Sequence, residues 1–450
     1  MSSSRSPQIM AGLWTVLMAA ANGGAILTDP WDKVPPNAES LLQADFPIQP
    51  GNGWRLQLGG HARSMSEAYR NPDFGFKGVD EDAWIHHRIE ALISLENAQH
   101  FKFATELIWG EMEGKDQPLS PVDGDMPDFL QLYAHGRLPL ADKSELVLRA
   151  GRQMLIYGSG RLLSHREGAN QRLAHDAFRL SWRRGDWQVD SLLASPVRIQ
   201  PGAFDNRSHF DQTKLWGIYA TGASCLGEGH GTDIYYLGLR QEDAPLSPGR
   251  TETRHTFGTR WFGSNGDWSY NHEFILQTGD SGGRDILAGA ISLGAGRVLH
   301  NLPLKPTLGF KADAVSGGGN QNEVRTFHPL FQGNNYFNEG GFVSPSNLWN
   351  LNPVLDLQLH HTVSLSLGVN FLWRFAPGDS VYAPPFNAIA GPAPHGERYL
   401  GTAWNLAMTW EPHPSCSFSL GFTHHEAGAS ITSLGGKSVD YLQVAARLEF

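Results

Sequence analysis

The residues of this 450-residue chain best suited to chemistry are arginines set in alternating segments. Arg149 and Arg152 lie in Leu148-Arg149-Ala150-Gly151-Arg152-Gln153, and Arg179 and Arg183 lie in the run from Ala177 to Arg183. A guanidinium stays charged at any working pH and offers a planar fork of donors that fits a carboxylate, so fixed arginines are a means of holding or passing anions. Metal chemistry is a weaker reading. The doublets His86-His87, His360-His361 and His424-His425 place neighbouring side chains on opposite faces of a strand. There is no His-Glu-x-x-His and no paired-cysteine motif. Neither a metal nor any other cofactor is expected. A hydrolase would need Ser, His and an orienting group within reach. Ser164-His165 and His61 with Ser64 are the nearest approaches; the first falls in a loop and the second fails strand parity, so no catalytic residue is expected. Gly158-Ser159-Gly160-Arg161 lacks the Lys-Ser/Thr of a phosphate-binding loop, and Gly317-Gly318-Gly319 reads as a flexible loop.

Period-two alternation must position these arginines. From Trp54 onward it recurs in runs of about eight to eleven residues, the length of a tilted membrane-crossing strand, separated by Gly, Pro, Asn and Asp. In the run Val363–Phe375 the residues Val363, Leu365, Leu367, Val369, Phe371, Trp373 and Phe375 share one face, and Ser364, Ser366, Gly368, Asn370 and Arg374 share the other. The closing run alternates likewise and ends on Phe450. Strands are expected at Trp54–Ser64, Trp84–Glu96, Phe101–Trp109, Phe129–Leu138, Glu145–Arg152, Ala177–Arg183 and onward to the end, about eighteen in all. The fold class is therefore all-β, a closed antiparallel transmembrane β-barrel with long extracellular loops. Residues 110–128, 153–176, 317–350 and 376–398 lack a strand pattern and are expected outside, opposite tight turns such as Arg184-Gly185-Asp186.

Residues 1–21 read as a signal peptide, with Arg5 before the apolar core Ile9–Ala21 and Ala19-Ala20-Ala21 as the cleavage site. Residues 22–50, with Pro30, Pro35, Pro36, Pro47 and Pro50, read as a periplasmic leader, and residues 51–450 as the barrel. Cys225 and Cys416 are compatible with one bridge or with two thiols. The net charge of −10 argues against a nucleic-acid partner.

If apolar faces meet lipid, parity turns Arg55, Arg63, His86, Arg88, Glu90, Lys102, Glu106, Tyr133, His135 and Arg137 inward, then Arg149, Arg179, Arg183, Arg240, Arg260, Lys311, Asp313, Arg374, Arg447 and Glu449. Basic residues outnumber acidic ones on this inner face although the chain is acidic overall. Such a wall favours anions; the competing arrangement is an interior plugged by Arg–Glu pairs.

Two stretches carry a family resemblance. The first runs from Leu148-Arg149-Ala150-Gly151-Arg152-Gln153 through Tyr157-Gly158 and Arg161-Leu162 to Asp176-Ala177-Phe178-Arg179-Leu180. The second is Phe327-His328-Pro329-Leu330-Phe331 with Tyr336-Phe337, Asn347-Leu348 and Trp373-Arg374. Together with Tyr399-Leu400-Gly401 and the closing strand, these resemble the alginate-export family of outer-membrane proteins over residues 54–450. The resemblance implies an eighteen-stranded barrel in the bacterial outer membrane with an arginine-rich pore, and it makes Arg149, Arg152 and Arg179 the foremost selectivity candidates. The expected partners are an anionic polysaccharide such as alginate or small organic anions, outer-membrane lipid, the barrel assembly machinery through Phe450, and periplasmic biosynthesis or export proteins. A barrel enzyme or adhesin working through its long loops is the remaining alternative.

Overall fold

A computed structural model describes residues 48–450 apart from Asn52, Ala98, Gln99 and Glu228. The signal peptide and most of the expected leader lie outside the described residues.

Eighteen long strands form the wall: β1 (Trp54–Arg70), β2 (Glu81–Asn97), β3 (Phe101–Glu113), β4 (Asp125–Pro139), β5 (Glu145–Gln153), β6 (His175–Arg184), β7 (Trp187–Arg198), β8 (Thr213–Ala223), β9 (His230–Gln241), β10 (Glu252–Asn265), β11 (Trp268–Ser281), β12 (Asp285–Val298), β13 (Thr307–Val315), β14 (Leu348–His360), β15 (Val363–Arg374), β16 (Tyr399–His413), β17 (Cys416–Ala427) and β18 (Val439–Glu449). Each pairs antiparallel with its neighbours, and β18 returns to β1 with Arg447 opposite Arg63 and Gln443 opposite Glu67. The sheet is thus closed and has no free edge. Phe450 completes the seam, exchanging backbone hydrogen bonds of 2.7 and 3.0 Å with Gly60.

The two faces invert the usual distribution of polarity. Ile93, Phe103, Phe178, Ile234, Leu308 and Leu448 are exposed on the outside, whereas Arg88, Glu90, Arg149, Arg254, Gln277 and Arg374 are fully buried inside. A soluble barrel would hide the first set; a bilayer is the solvent that accepts it. Aromatic girdles flank the belt. Trp187, Trp268 and the Trp410–Phe418 pair sit at the end with tight turns, and the stacked Trp349–Trp373 pair, centroids 4.0 Å apart, sits at the end with long loops. Trp rings suit the interface because one edge is apolar and the other can bond water.

The expected strand boundaries fall short at the loop end. β1 continues past Ser64 to Arg70, and β2 and β3 extend with it. The outward Ser66, Ala68 and Arg70 offer no lipid-facing apolar row, so this part of the wall carries less of the pattern by which a crossing strand is recognised.

The long loops depart further from expectation. They do not lie wholly outside. Leu155, Leu162 and Leu163 of segment 154–174 and Phe327 and Leu330 of segment 316–347 are buried against wall residues Leu192, Leu215, Leu237 and Val315. Phe74, Phe337, Phe342 and Val343 form a second cluster with Leu372, Leu400, Val439 and Tyr441. Apolar side chains in these loops gain by leaving water for the barrel interior, and the Gly- and Pro-rich backbone lets them turn inward. Gly317-Gly318-Gly319 is correspondingly a fixed turn. A Cβ on Gly317 would lie 2.0 Å from the Asn347 side chain, and the Gly318 N–H donates to Asp379 at 2.7 Å. Cys225 and Cys416 are free thiols.

Candidate functional site

The densest charge cluster is built on three neighbouring wall strands. Strand parity turns Arg63, Arg88 and Arg447 inward, and pairing sets Arg63 directly opposite both Arg88 and Arg447. A row of like charges repels unless anions are interleaved. One anion comes from the wall: Glu90, fully buried, lies 2.8 Å from Arg88 Nε and 3.3 Å from His61 Nε2. The other comes from segment 154–174, whose Glu167 reaches back to the row. Its carboxylate contacts Arg88 and Arg172 directly, with Arg63 at 3.8 Å, Arg447 at 3.9 Å and His165 at 3.4 Å. Arg172 also bonds Glu90 at 3.1 Å. Burial pushes Arg172 down to about 10, which leaves it charged at neutral pH, while burial and the nearby Arg172 and Arg88 hold the His165 imidazole neutral.

The same arginines grip the loop backbone. Arg63 donates to the Glu167 and Ala169 carbonyls at 2.7 and 3.1 Å, and Arg88 donates to them at 3.1 and 2.9 Å. The loop base is fixed separately, since Ser164 N–H donates to Phe331 and Phe331 N–H to Leu162. Segment 154–174 is therefore tied into the barrel at both its base and its tip.

The other inward arginines occupy distinct settings. Arg149 lies opposite Arg179, with its guanidinium 4.4 Å from the Tyr133 ring centroid, and Arg179 Nε is 4.0 Å from Asp190. Arg183 bonds Glu145 at 3.1 Å, and Arg55, half exposed near the turn end, is 3.7 Å from Glu96. Arg137 is exposed and donates to His135 at 3.2 Å. Arg374 is fully buried and donates to the Asp379, Gly391 and Ser430 carbonyls. Arg447 is also 3.3 Å from Glu449.

Two expected inward residues point the other way. Arg152, three positions from Arg149, shares its strand face with lipid-facing Leu148 and pairs across to lipid-facing Leu132. An odd spacing on a strand reverses the face. Its guanidinium clamps the rim, bonding Asp176 at 3.0 Å, Asp128 at 3.3 Å and the Asn206 carbonyl at 2.8 Å. Arg240 likewise shares a face with exposed Ile234 and bonds Glu242 at 2.6 Å.

The residues that sequence parity missed come from loops. Glu167 and Arg172 belong to the cluster already described, and Arg161 reaches the far wall to bond Glu273 at 2.5 Å and Asp313 at 3.3 Å. Tyr336 donates to Asp313 at 2.7 Å and lies under Lys311, whose Nζ is 4.0 Å from the ring centroid. The available signal was compositional: a loop carrying Leu155, Leu162 and Leu163 beside Arg161, His165, Glu167 and Arg172 has both an apolar part to bury and charges to pair. Among the described residues, no group of three or more His, Cys, Asp or Glu side chains is placed to hold a metal ion. Ser164 is buried and accepts the Arg166 N–H at 3.3 Å.

Loop 316–347 contributes a pH-sensitive tie. His328 is buried against Phe386, its Nδ1 accepts the Leu330 N–H at 2.9 Å, and its backbone is bonded both ways to Gln277. Burial pushes the imidazole down to about 4, against which Glu252 acts only in part. A lowered histidine favours the folded loop above pH 6.5, and that contribution is lost as pH falls from 6.5 towards 4, by roughly 3 kcal/mol at the limit. Protease cleavage within 316–347 is expected to rise between pH 7.5 and 4.5 in the native protein and to change little in His328→Gln. Equal cleavage of the native protein at both pH values would remove His328 as the tie.

Comparison with known proteins agrees with this architecture. No curated protein sequence matches the chain. Solved structures similar to it include Pseudomonas aeruginosa OccK8 (OprE), with a TM-score of 0.58 at 8% identity, covering 88% of this chain and 98% of that one. Acinetobacter baumannii OccAB1 gives 0.59 at 9% over 88% and 96%, and P. aeruginosa OpdK with vanillate gives 0.55 at 10% over 87% and 98%. At these identities the likeness is one of fold. With the closed wall, its apolar belt and its charged interior, these similarities describe a bacterial outer-membrane channel. The family profile described as Alginate export matches residues 54–445, and the chain belongs to that family.

Proposed function

We propose that the channel prefers anions and passes an acidic polysaccharide, alginate or a polymer like it, outward across the outer membrane. The observation that supports this most directly is the convergence of Arg63, Arg88, Arg172 and Arg447 on one carboxylate, that of Glu167. A lumen that holds one carboxylate with several guanidinium groups is chemically suited to the repeated carboxylates of a uronate polymer. Arg149 and Arg179 extend the cationic surface along the wall, and Arg55, Arg137, Arg183 and Arg374 complete the inward set. Arg152 is withdrawn from it on strand parity. A polymer exporter would work beside periplasmic proteins that supply the polymer, and Phe450 at the seam would present the assembly signal.

A second reading is uptake of small organic anions. It is favoured by the inward packing of segments 154–174 and 316–347, which narrows the interior, and by the fold shared with OpdK, solved with vanillate. Reversal potentials in a planar bilayer under a salt gradient, with and without mannuronate oligomers, separate the readings. Anion preference with oligomer-dependent block supports polymer export; anion preference with block by small carboxylates alone supports the porin. Arg149→Glu combined with Arg179→Glu is expected to shift the reversal potential towards cations while the barrel still assembles. An unchanged potential would exclude these two residues from the filter.

A further inference from the structure

We propose that Glu167 is a tethered counter-ion occupying the channel's own carboxylate subsite, and that a permeating carboxylate displaces it. The inference rests on the anion-channel reading and adds a specific residue to it. Three observations carry it. First, the cage around the carboxylate holds more cation than the wall neutralises. Arg63, Arg88, Arg172 and Arg447 meet there, and the wall carboxylates paired with them are Glu90, on Arg88 and Arg172, and Glu449, on Arg447. Without Glu167 the cage would carry excess positive charge in a partly dehydrated place, where an anion is strongly attracted.

Second, the cage is closed at the back and open at the front. The side chains of Arg88, Arg172 and Arg63 are 0, 3 and 7% exposed, whereas those of Glu167 and Arg447 are 22 and 33% exposed. Solvent, and hence a solute, reaches the cage beside the Glu167 and Arg447 side chains, while the Glu167 Oε2 lies buried against Arg172.

Third, the loop does not depend on that carboxylate alone. Arg63 and Arg88 also hold the Glu167 and Ala169 backbone carbonyls, and Arg172 is retained by Glu90. The Glu167 side chain can therefore rotate away while the loop stays in place. Exchange costs little because one carboxylate replaces another on the same donors, and a rebound Glu167 would speed release of the solute. A fixed cationic cage without such a competitor would hold a polyanion too long to conduct it.

The test compares native protein with Glu167→Gln and Glu167→Asp in planar bilayers at neutral pH, reading chloride conductance and the concentration of mannuronate oligomer that halves the current. Gln keeps the shape and removes the charge; Asp keeps the charge. In Glu167→Gln, conductance is expected to rise and the half-blocking concentration to fall several-fold, with Asp staying near native. Glu167→Ser provides the same reading if Gln fails to assemble. An anion-preferring native channel in which neither neutral variant changes conductance or block would overturn the counter-ion role and leave the channel reading intact. Cation preference in the native protein would overturn both.

Discussion

Replacing Arg88 with alanine is expected to detach the tip of segment 154–174 and to lower barrel stability more than any other single change in the arginine row. The side chain is fully buried, bonds the equally buried Glu90, contacts the Glu167 carboxylate and donates to two loop carbonyls. Its removal leaves Glu90 to Arg172 and His61, and a buried carboxylate stripped of its closest partner costs on the order of 3–5 kcal/mol. The temperature at which folded barrel converts to the unfolded band on a gel should fall markedly, and protease should gain access near Glu167. Arg88→Lys should recover only part of the loss, because an ammonium cannot serve a carboxylate and two carbonyls in fork geometry. Arg70→Ala is the matched control. Its pair with Asp440 is 3.8 Å long and largely exposed, and such pairs contribute about 0–1 kcal/mol. If Arg88→Ala and Arg70→Ala melt together, the row is not a structural anchor.

The contrast between those residues shows how far the sequence could be read. Arg88 sits on a strand whose lipid-facing Ile89 and Ile93 announce the parity, so its inward direction follows from counting. The same counting places Arg63, Arg149, Arg179, Arg374 and Arg447 on the inner face. At Arg152, taken from a motif, and at Arg240, an even number of residues from lipid-facing Ile234, the direction came out reversed. Closure, strand number and the terminal seam were legible because each rests on a period that water and lipid impose on every wall residue. Loops obey no period. Nothing in the spacing of Ser164-His165-Arg166-Glu167 states that the chain doubles back between β5 and β6 to meet β1, β2 and β18. That contact depends on burying Leu162 and Leu163 and on satisfying a row of arginines more than sixty residues away. The predicted pore lining was therefore a list of wall residues, cations in the majority, without the loop charges that set their effective charge.

Arg374→Ala tests a separate loop anchor of the interior and should separate pore size from selectivity. Arg374 ends β15 and is fully buried. It donates to the carbonyls of Asp379 and Gly391 at 2.7 Å and of Ser430 at 3.2 Å, so one side chain joins segment 375–398 to the helical turn Ala429–Thr432. Hydrogen bonds from a charged donor contribute about 1.5–3 kcal/mol each, and the orphaned carbonyls would be left in a buried setting unless the loops move to water. The expected outcome is loop release without barrel loss. The outer face of β15, carrying Val369, Phe371 and Trp373, is untouched, and the backbone bond from Arg374 N–H to the Arg398 carbonyl remains. Cleavage within 375–398 should accelerate and single-channel conductance should rise, while the reversal potential stays near native because the Arg63–Arg88–Arg447 row is intact. Arg374→Lys, able to serve fewer of the three carbonyls at once, should fall between. A changed reversal potential with unchanged conductance would assign Arg374 to the filter instead; unchanged cleavage and conductance would mean that the apolar cluster of Phe337, Phe342, Val343 and Leu400 holds these loops without it.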